Sequence, residues 1–199
     1  MRILSIRRSF DGDHSSSSYE FFAFDRLTAE QSAAVRELTG KSARRHLILR
    51  YQGEWDDIPS GWENKLLTMG YDVLVSESYD WWVIYLSLPH DPALAKRLEP
   101  YHCESNGNGL DMRVVGERMV LSFGMQLDYN AAYDAFGSNP FKGLAKLFED
   151  VRDELLGGDV SAAWAMYETY GGYDEEDGPE PVEPLSPSAS TLLDIMGSD

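Results

Sequence analysis

The 199-residue chain holds one cysteine, in His102-Cys103-Glu104, beside one of its four histidines. A nucleophilic thiolate needs a base within reach and an electropositive setting that lowers its pKa. Here Glu99, Glu104 and Asp111 flank the thiol. Adjacent residues of an extended segment also point to opposite sides, so His102 is badly placed to activate Cys103. A loop thiol without a catalytic role is expected. Asp11-Gly12-Asp13-His14 gathers ligand atoms of the kind that hold a hard cation. It lacks the further alternating ligands and the bidentate acid such a loop requires, and reads as a polar turn. The histidines (His14, His46, His90, His102) show no metal-ligand spacing. Asp56-Asp57 has no second carboxylate held at the separation that acid–base chemistry needs. There is no Gly-rich phosphate loop, nucleophile elbow or Cys-x-x-Cys pair. The sequence therefore supplies no catalytic residue, no metal site and no cofactor.

Three stretches suit binding better. From Arg44 to Tyr51, alternation puts Leu47, Leu49 and Tyr51 on one side, with Arg45 at the strand start. Arg44, His46, Ile48 and Arg50 fall on the other. This cationic strip suits a carboxylate or phosphate; the expectation is that it pairs with the protein's own acids, its tail included. From Tyr79 to Leu88, Trp82, Ile84, Leu86 and Leu88 share one face and Trp81, Val83 and Tyr85 the other. Either helices cover both apolar faces, which is the expectation, or Trp81 and Tyr85 form an interface anchor. At the C-terminus Leu192, Leu193, Ile195 and Met196 cluster in a segment too short to be a stable helix alone. These side chains must dock, in cis on the body or in trans on a partner groove.

The elements that position these residues follow from periodicity and caps. Tyr19 to Asp25 reads as a strand. Thr28 and Gln31 form a capping box for a helix stopped by Gly40. A strand from Arg44 to Tyr51 follows, then a helix opened by a Ser60/Glu63 capping box and ended at Gly70. Tyr71–Glu77 and Trp81–Leu88 make a hairpin, and Asp91-Pro92 caps a short helix through Leu98. After a loop, Ser105 to Gly109, a second hairpin pairs Met112–Val115 with Arg118–Phe123 through a type II′ turn at Gly116-Glu117. Asn139-Pro140 opens a helix with Phe141, Leu144, Leu147, Phe148, Val151 and Leu155 on one face. Asp159 caps another helix through Tyr170. The expected fold class is α+β: a mostly antiparallel sheet of five to six strands, helices packed on it, and a C-terminal helix pair.

Composition bounds the rest. Hydrophobic residues are 43% and aromatics 12%, enough for a core, and 34 acids against 17 basic residues give a net charge of -17. Residues 1–50 carry +3 and residues 51–199 carry -20. That balance argues against direct nucleic-acid binding or attachment to an anionic membrane. The longest apolar run, Trp81–Leu86, is far too short to span a bilayer, and Met1–Phe10 lacks the form of a signal peptide. A cytoplasmic, reducing compartment is expected. Residues 173–199 hold eight acids, no Lys or Arg, and four of the nine prolines. The chain divides on this reading into an α+β domain, 1–172, and an acidic Pro-rich tail, 173–199, with a short apolar tip.

The stretch Tyr19-Glu20-Phe21-Phe22-Ala23-Phe24-Asp25-Arg26-Leu27-Thr28-Ala29-Glu30-Gln31 resembles the opening of a family of uncharacterised bacterial proteins. That opening runs Tyr-Glu-Phe-Leu-Ala-x-Asp-Arg-Pro-Leu-Thr-x-Glu-Gln. Lys65–Pro89 is similar to the family's helix and hairpin. Gly158-Asp159 with Ala163, Trp164, Tyr167 and the acidic linker to Leu185-Ser186 is similar to its C-terminal region. The proline after Arg26 is absent here, and Met1–Ser18 lies outside the pattern. The resemblance implies no activity and no functional residues; an association with SWIM zinc-finger proteins implies a DNA-linked partner.

The functional expectation is a non-enzymatic accessory or adaptor protein that meets a protein partner through Arg44, His46 and Arg50, through Trp81 and Tyr85, or through Leu192, Leu193, Ile195 and Met196. Two alternatives stand beside it. One is an acidic nucleic-acid mimic that inhibits a DNA- or RNA-binding protein. The other is an enzyme with a diffuse site at Asp11–His14 or His102–Glu104.

Overall fold

Strong β-formers at period two build seven strands that pair into one antiparallel sheet. The computed structural model describes residues 16–52, 58–78, 81–127, 129–171 and 178–197. The strands are β1 (Ser16–Phe22), β2 (His46–Gln52), β3 (Val73–Ser78), β4 (Trp81–Pro89), β5 (Cys103–Ser105), β6 (Asn108–Val115) and β7 (Arg118–Gln126). Their order across the sheet is β2-β1-β3-β4-β7-β6-β5, every pair antiparallel. Among the described residues there are seven helices: α1 (Ala29–Thr39), α2 (Trp62–Thr68), α3 (Pro92–Leu98), α4 (Tyr129–Phe136), α5 (Pro140–Leu156), α6 (Ser161–Tyr170) and α7 (Pro187–Met196). The α+β class is as expected, but the sheet has seven strands rather than five to six.

The additional strand comes from the stretch expected to be a loop. Asn106 and Gly107 both have positive φ, 51° and 83°, the pattern of a type I′ turn, and Ser105 pairs with Asn108 across it. Asn tolerates that conformation and Gly prefers it, so the dipeptide closes a hairpin of β5 with β6. The expected II′ turn is also present, with positive φ at Gly116 alone and Val115 opposite Arg118.

Caps follow local chemistry where the backbone permits. Thr28 accepts from the Gln31 N–H while the Gln31 side chain accepts from the Thr28 N–H, and Gly40 ends α1 in the left-handed region. Asp91 and Asn139 cap α3 and α5, accepting from the Ala93 and Lys142 amides. The Ser60/Glu63 box does not form. Gly61, at φ 78°, occupies the cap position of α2 without a side-chain bond, and Ser60 is left outside. Asp159 accepts from both the Ser161 amide and its hydroxyl, one residue ahead of the cap position.

The sheet carries a core on each face. The first core joins Val73 and Val75 of β3, Trp82, Ile84, Leu86 and Leu88 of β4 and Met119, Leu121, Phe123 and Met125 of β7 with residues from α3 to α7. The second packs Tyr19, Phe21, Leu47, Leu49, Leu74 and Val120 against Val35 of α1, Leu66 and Leu67 of α2, and Tyr71. Tyr71 is fully buried and its hydroxyl donates to the Arg44 carbonyl at 2.9 Å; burial pushes its pKa up to about 12. The fold favours the protonated phenol. This stabilisation is complete below the unfolded value near 10 and is lost as pH rises toward 12. Tyr71→Phe should therefore flatten the alkaline fall in stability between those limits, a difference of up to about 2–3 kcal/mol in urea melts; an unchanged slope would show that Tyr71 ionises as freely as in the unfolded chain.

The C-terminal segment is part of this fold. Ser186 caps α7 by accepting from the Ala189 amide, Pro187 occupies its first turn, and the Ser186 hydroxyl donates to Glu154 of α5 at 2.9 Å. α7 packs on α6, with further contacts to α5 and α4, and places Ala189, Leu192 and Ile195 in the first core.

Candidate functional site

The two helix layers lie on opposite faces and over opposite ends of the sheet. α1 and α2 cover β2, β1 and β3 on one side and reach Ser87 of β4 and Val120 of β7, while α3 to α7 cover β3, β4, β7, β6 and β5 on the other. Two diagonally opposed quarters are left where strand side chains stay half-exposed. The cationic strip falls on one and the Trp81 face on the other.

On the first quarter, β1 contributes Ser18, Glu20 and Phe22, and β2 contributes His46, Ile48 and Arg50, because Glu20 stands opposite Ile48 in the register. Glu20 is only 3% exposed. A buried carboxylate must be paired, and here His46 Nε2 lies 2.7 Å from Oε2 while Arg50 Nη2 lies 3.5 Å from Oε1. The His46 ring also stacks on Phe22, centroids 4.4 Å apart and planes 13° from parallel. His46 and Arg50 thus converge on an acid of the neighbouring strand, and an incoming carboxylate or phosphate meets groups already held by Glu20. Arg44 precedes the strand, exposed, and its carbonyl receives the Tyr71 hydroxyl. Arg45 donates to the Ala23 and Phe24 carbonyls. Sequence reasoning passed over Glu20; the available signal was an acid at an alternate position of an otherwise aromatic strand.

The second quarter is built by β4, β7, β6 and β5. Along β4, Trp82, Ile84, Leu86 and Leu88 are buried in the first core, while Trp81 is 38% exposed and Val83 and Tyr85 are half-buried. The expectation that both faces of this strand would be covered holds at the Leu88 end, where Ser87 is buried and donates to the Leu67 carbonyl of α2 and Val120 of β7 joins the second core, and fails toward Trp81, where the face extends beyond α1 and α2. Tyr85 packs against the margin of the second core. In the register, Tyr85 stands opposite Ser122 and Ser122 opposite Asp111; Val83 opposite Gly124, Gly124 opposite Gly109 and Gly109 opposite Glu104; Trp81 opposite Gln126. All these residues share the Trp81 face. Arg113 also belongs to it and holds its guanidinium 5.2 Å from the Tyr85 ring centroid. The turn of the β5–β6 hairpin folds over Gly124. A Cβ there would stand 2.6 Å from the Gly107 carbonyl oxygen, and one on Gly107 would stand 3.5 Å from the Trp81 ring. The face is an aromatic centre with a polar margin that holds Glu104 and Asp111 beside Arg113, Ser122 and Gln126.

The remaining candidates are placed as follows. His102 Nε2 lies 3.3 Å from Asp111 Oδ1, both exposed. Cys103 points the other way, buried in the first core with its thiol 3.7 Å from the Met166 carbonyl oxygen, and burial pushes its pKa up. His102 and Cys103 thus do not form a catalytic pair. The thiol belongs to a strand, not a loop. Leu192 and Ile195 are core residues, and Leu193 and Met196 are half-buried against the same core, so the C-terminal cluster docks in cis. Asp11–His14 and Asp56-Asp57 lie outside the described residues. Among the described residues, no group of three His, Cys, Asp or Glu is arranged to hold a metal ion, and no helix is long and apolar enough to cross a membrane.

No family model, curated protein or solved structure matches this chain.

Proposed function

We propose that this chain is a non-enzymatic accessory protein of the cytoplasm that binds a protein partner through the Trp81 face. The observation that supports this most directly is the contrast along β4: one side is wholly buried, while Trp81 on the other is 38% exposed beside Val83 and Tyr85. Helices elsewhere in the chain cover comparable apolar rows, and an aromatic centre with a polar rim is the composition of interface anchors. The cationic strip is the weaker surface for this role, because Glu20 already holds His46 and Arg50. The C-terminal cluster is weaker still, because its largest side chains are spent on the chain's own core. The resemblance to a bacterial family without an assigned activity adds no residue to either face.

The test is affinity capture from a bacterial lysate with the full chain and Trp81→Ser side by side. Trp81 is the residue to change, since Tyr85 also packs against the second core and its loss would disturb the fold. A partner held by the full chain should be lost from Trp81→Ser while the two proteins melt at the same temperature. The same partner on both would refute the assignment to this face.

A further inference from the structure

We propose that the occupant of the Trp81 face is a cationic protein segment, whose Lys or Arg side chains lie on Trp81 and beside Tyr85 while their charges are met by Glu104 and Asp111. This rests on reading the face as an interaction surface, and adds the chemistry of the partner. Three observations carry it.

First, the register places aromatic rings and carboxylates on one surface. Trp81 and Tyr85 stand on β4, Asp111 two strands away on β6, and Glu104 three strands away on β5. Measured along the sheet at ~4.8 Å per strand, the backbone carrying these carboxylates is roughly 10–14 Å from the aromatic row. An extended segment crossing the strands covers that span in about three or four residues, so two basic side chains reach both groups at once.

Second, the face already takes this chemistry within the chain. Arg113 lays its guanidinium over Tyr85 at 5.2 Å, and His102 stands 3.3 Å from Asp111. Each is a cation-capable group against one of the two kinds of partner the face offers. Trp81, with the better ring for a cation, is 38% exposed, with the Gly107 turn near its edge.

Third, the charge of the whole chain favours such a partner. Residues 51–199 carry -20, and they supply every strand of this face. The resulting field draws cationic segments toward the surface and repels nucleic acid, which would otherwise compete for a Trp/Tyr platform through base stacking.

The experiment uses the full chain and three fluorescein-labelled probes: a peptide of alternating Arg and Gly, the same peptide with Glu for Arg, and an oligothymidylate. Fluorescence anisotropy is read at low and high salt for the wild type, for Trp81→Ser and for Glu104→Gln/Asp111→Asn. The Arg peptide should bind the wild type, with added salt weakening it. Trp81→Ser should lose about tenfold in affinity, and the carboxylate pair a similar amount. Binding of the Arg peptide that survives Trp81→Ser unchanged would overturn the proposal, since attraction to the acidic run Asp174–Asp177 would then explain it. Preference for the Glu peptide or the oligothymidylate would overturn it as well. If the lysate partner is lost from Trp81→Ser while the Arg peptide fails to bind, the face remains an interaction surface and only the cationic assignment falls.

Discussion

Leu192→Ala should lower the unfolding free energy by about 3–5 kcal/mol in urea denaturation, and removing residues 178–199 should abolish the cooperative transition of the remainder. Leu192 has no exposed surface and lies with Ala189 and Ile195 among α4, α5 and α6, so truncation leaves a cavity within a rigid helical layer. Deleting the segment strips a face from α6 and α5, and it also removes the Ser186 hydroxyl that donates to Glu154. Leu193→Ala, at a half-buried position of the same helix, should cost about 1 kcal/mol or a little more and serves as the control. The measurement separates two pictures of the C-terminus. If Leu192→Ala costs under about 1 kcal/mol, the segment is a free arm whose apolar tip is available to a partner. The full loss identifies it as a structural element of the body, which excludes its largest side chains from partner contact while the fold is intact.

Gly109→Ala should be similarly damaging, at about 3–5 kcal/mol, and for a different reason. Gly109 has φ +125°, where residues with a Cβ are strained, and the added atom would stand 2.1 Å from the Cys103 carbonyl oxygen, a backbone atom of the paired strand. Neither the conformation nor the clash relaxes without parting β5 from β6. Gly116→Ala gives the comparison, since at φ +61° it meets nothing within 4 Å and incurs only local turn strain of about 1 kcal/mol. A thermal melt of the two variants reads the difference directly. Equal losses would mean that the β5–β6 hairpin does not hold this geometry. The result also bears on the Trp81 face, because the same hairpin folds its Gly107 turn against Trp81 and carries Glu104 and Asp111.

What was legible in the sequence was local. The Thr28/Gln31 box, the Asp91 and Asn139 caps, the Gly116 turn and the apolar face of α5 each depend on residues within a few positions, and each formed as read. The Ser60 box failed through an equally local competitor, since Gly61 takes the cap position in a left-handed conformation. The Asn106-Gly107 hairpin was legible and passed over: two residues tolerant of positive φ mark that turn as plainly as Gly116 marks the next. α7 was a different case. A ten-residue helix is not stable by itself, and its apolar residues were equally consistent with docking on another chain.

By itself, the sequence determined the α+β class, the acidic balance, the pairing of Trp82 with Ile84 and of Trp81 with Tyr85 on opposite sides of one strand, and the absence of any recognisable catalytic motif. It took the packed chain to settle which of those sides is covered toward Trp81, that His46 and Arg50 pair with Glu20, and that Leu192 and Ile195 close the chain's own core. The physical reason is range. Alternation and capping are set by neighbours along the chain. Coverage is set by how far two helix layers reach across a sheet seven strands wide, and that depends on residues a hundred or more positions apart gathering in one core, as Val75 and Ile195 do.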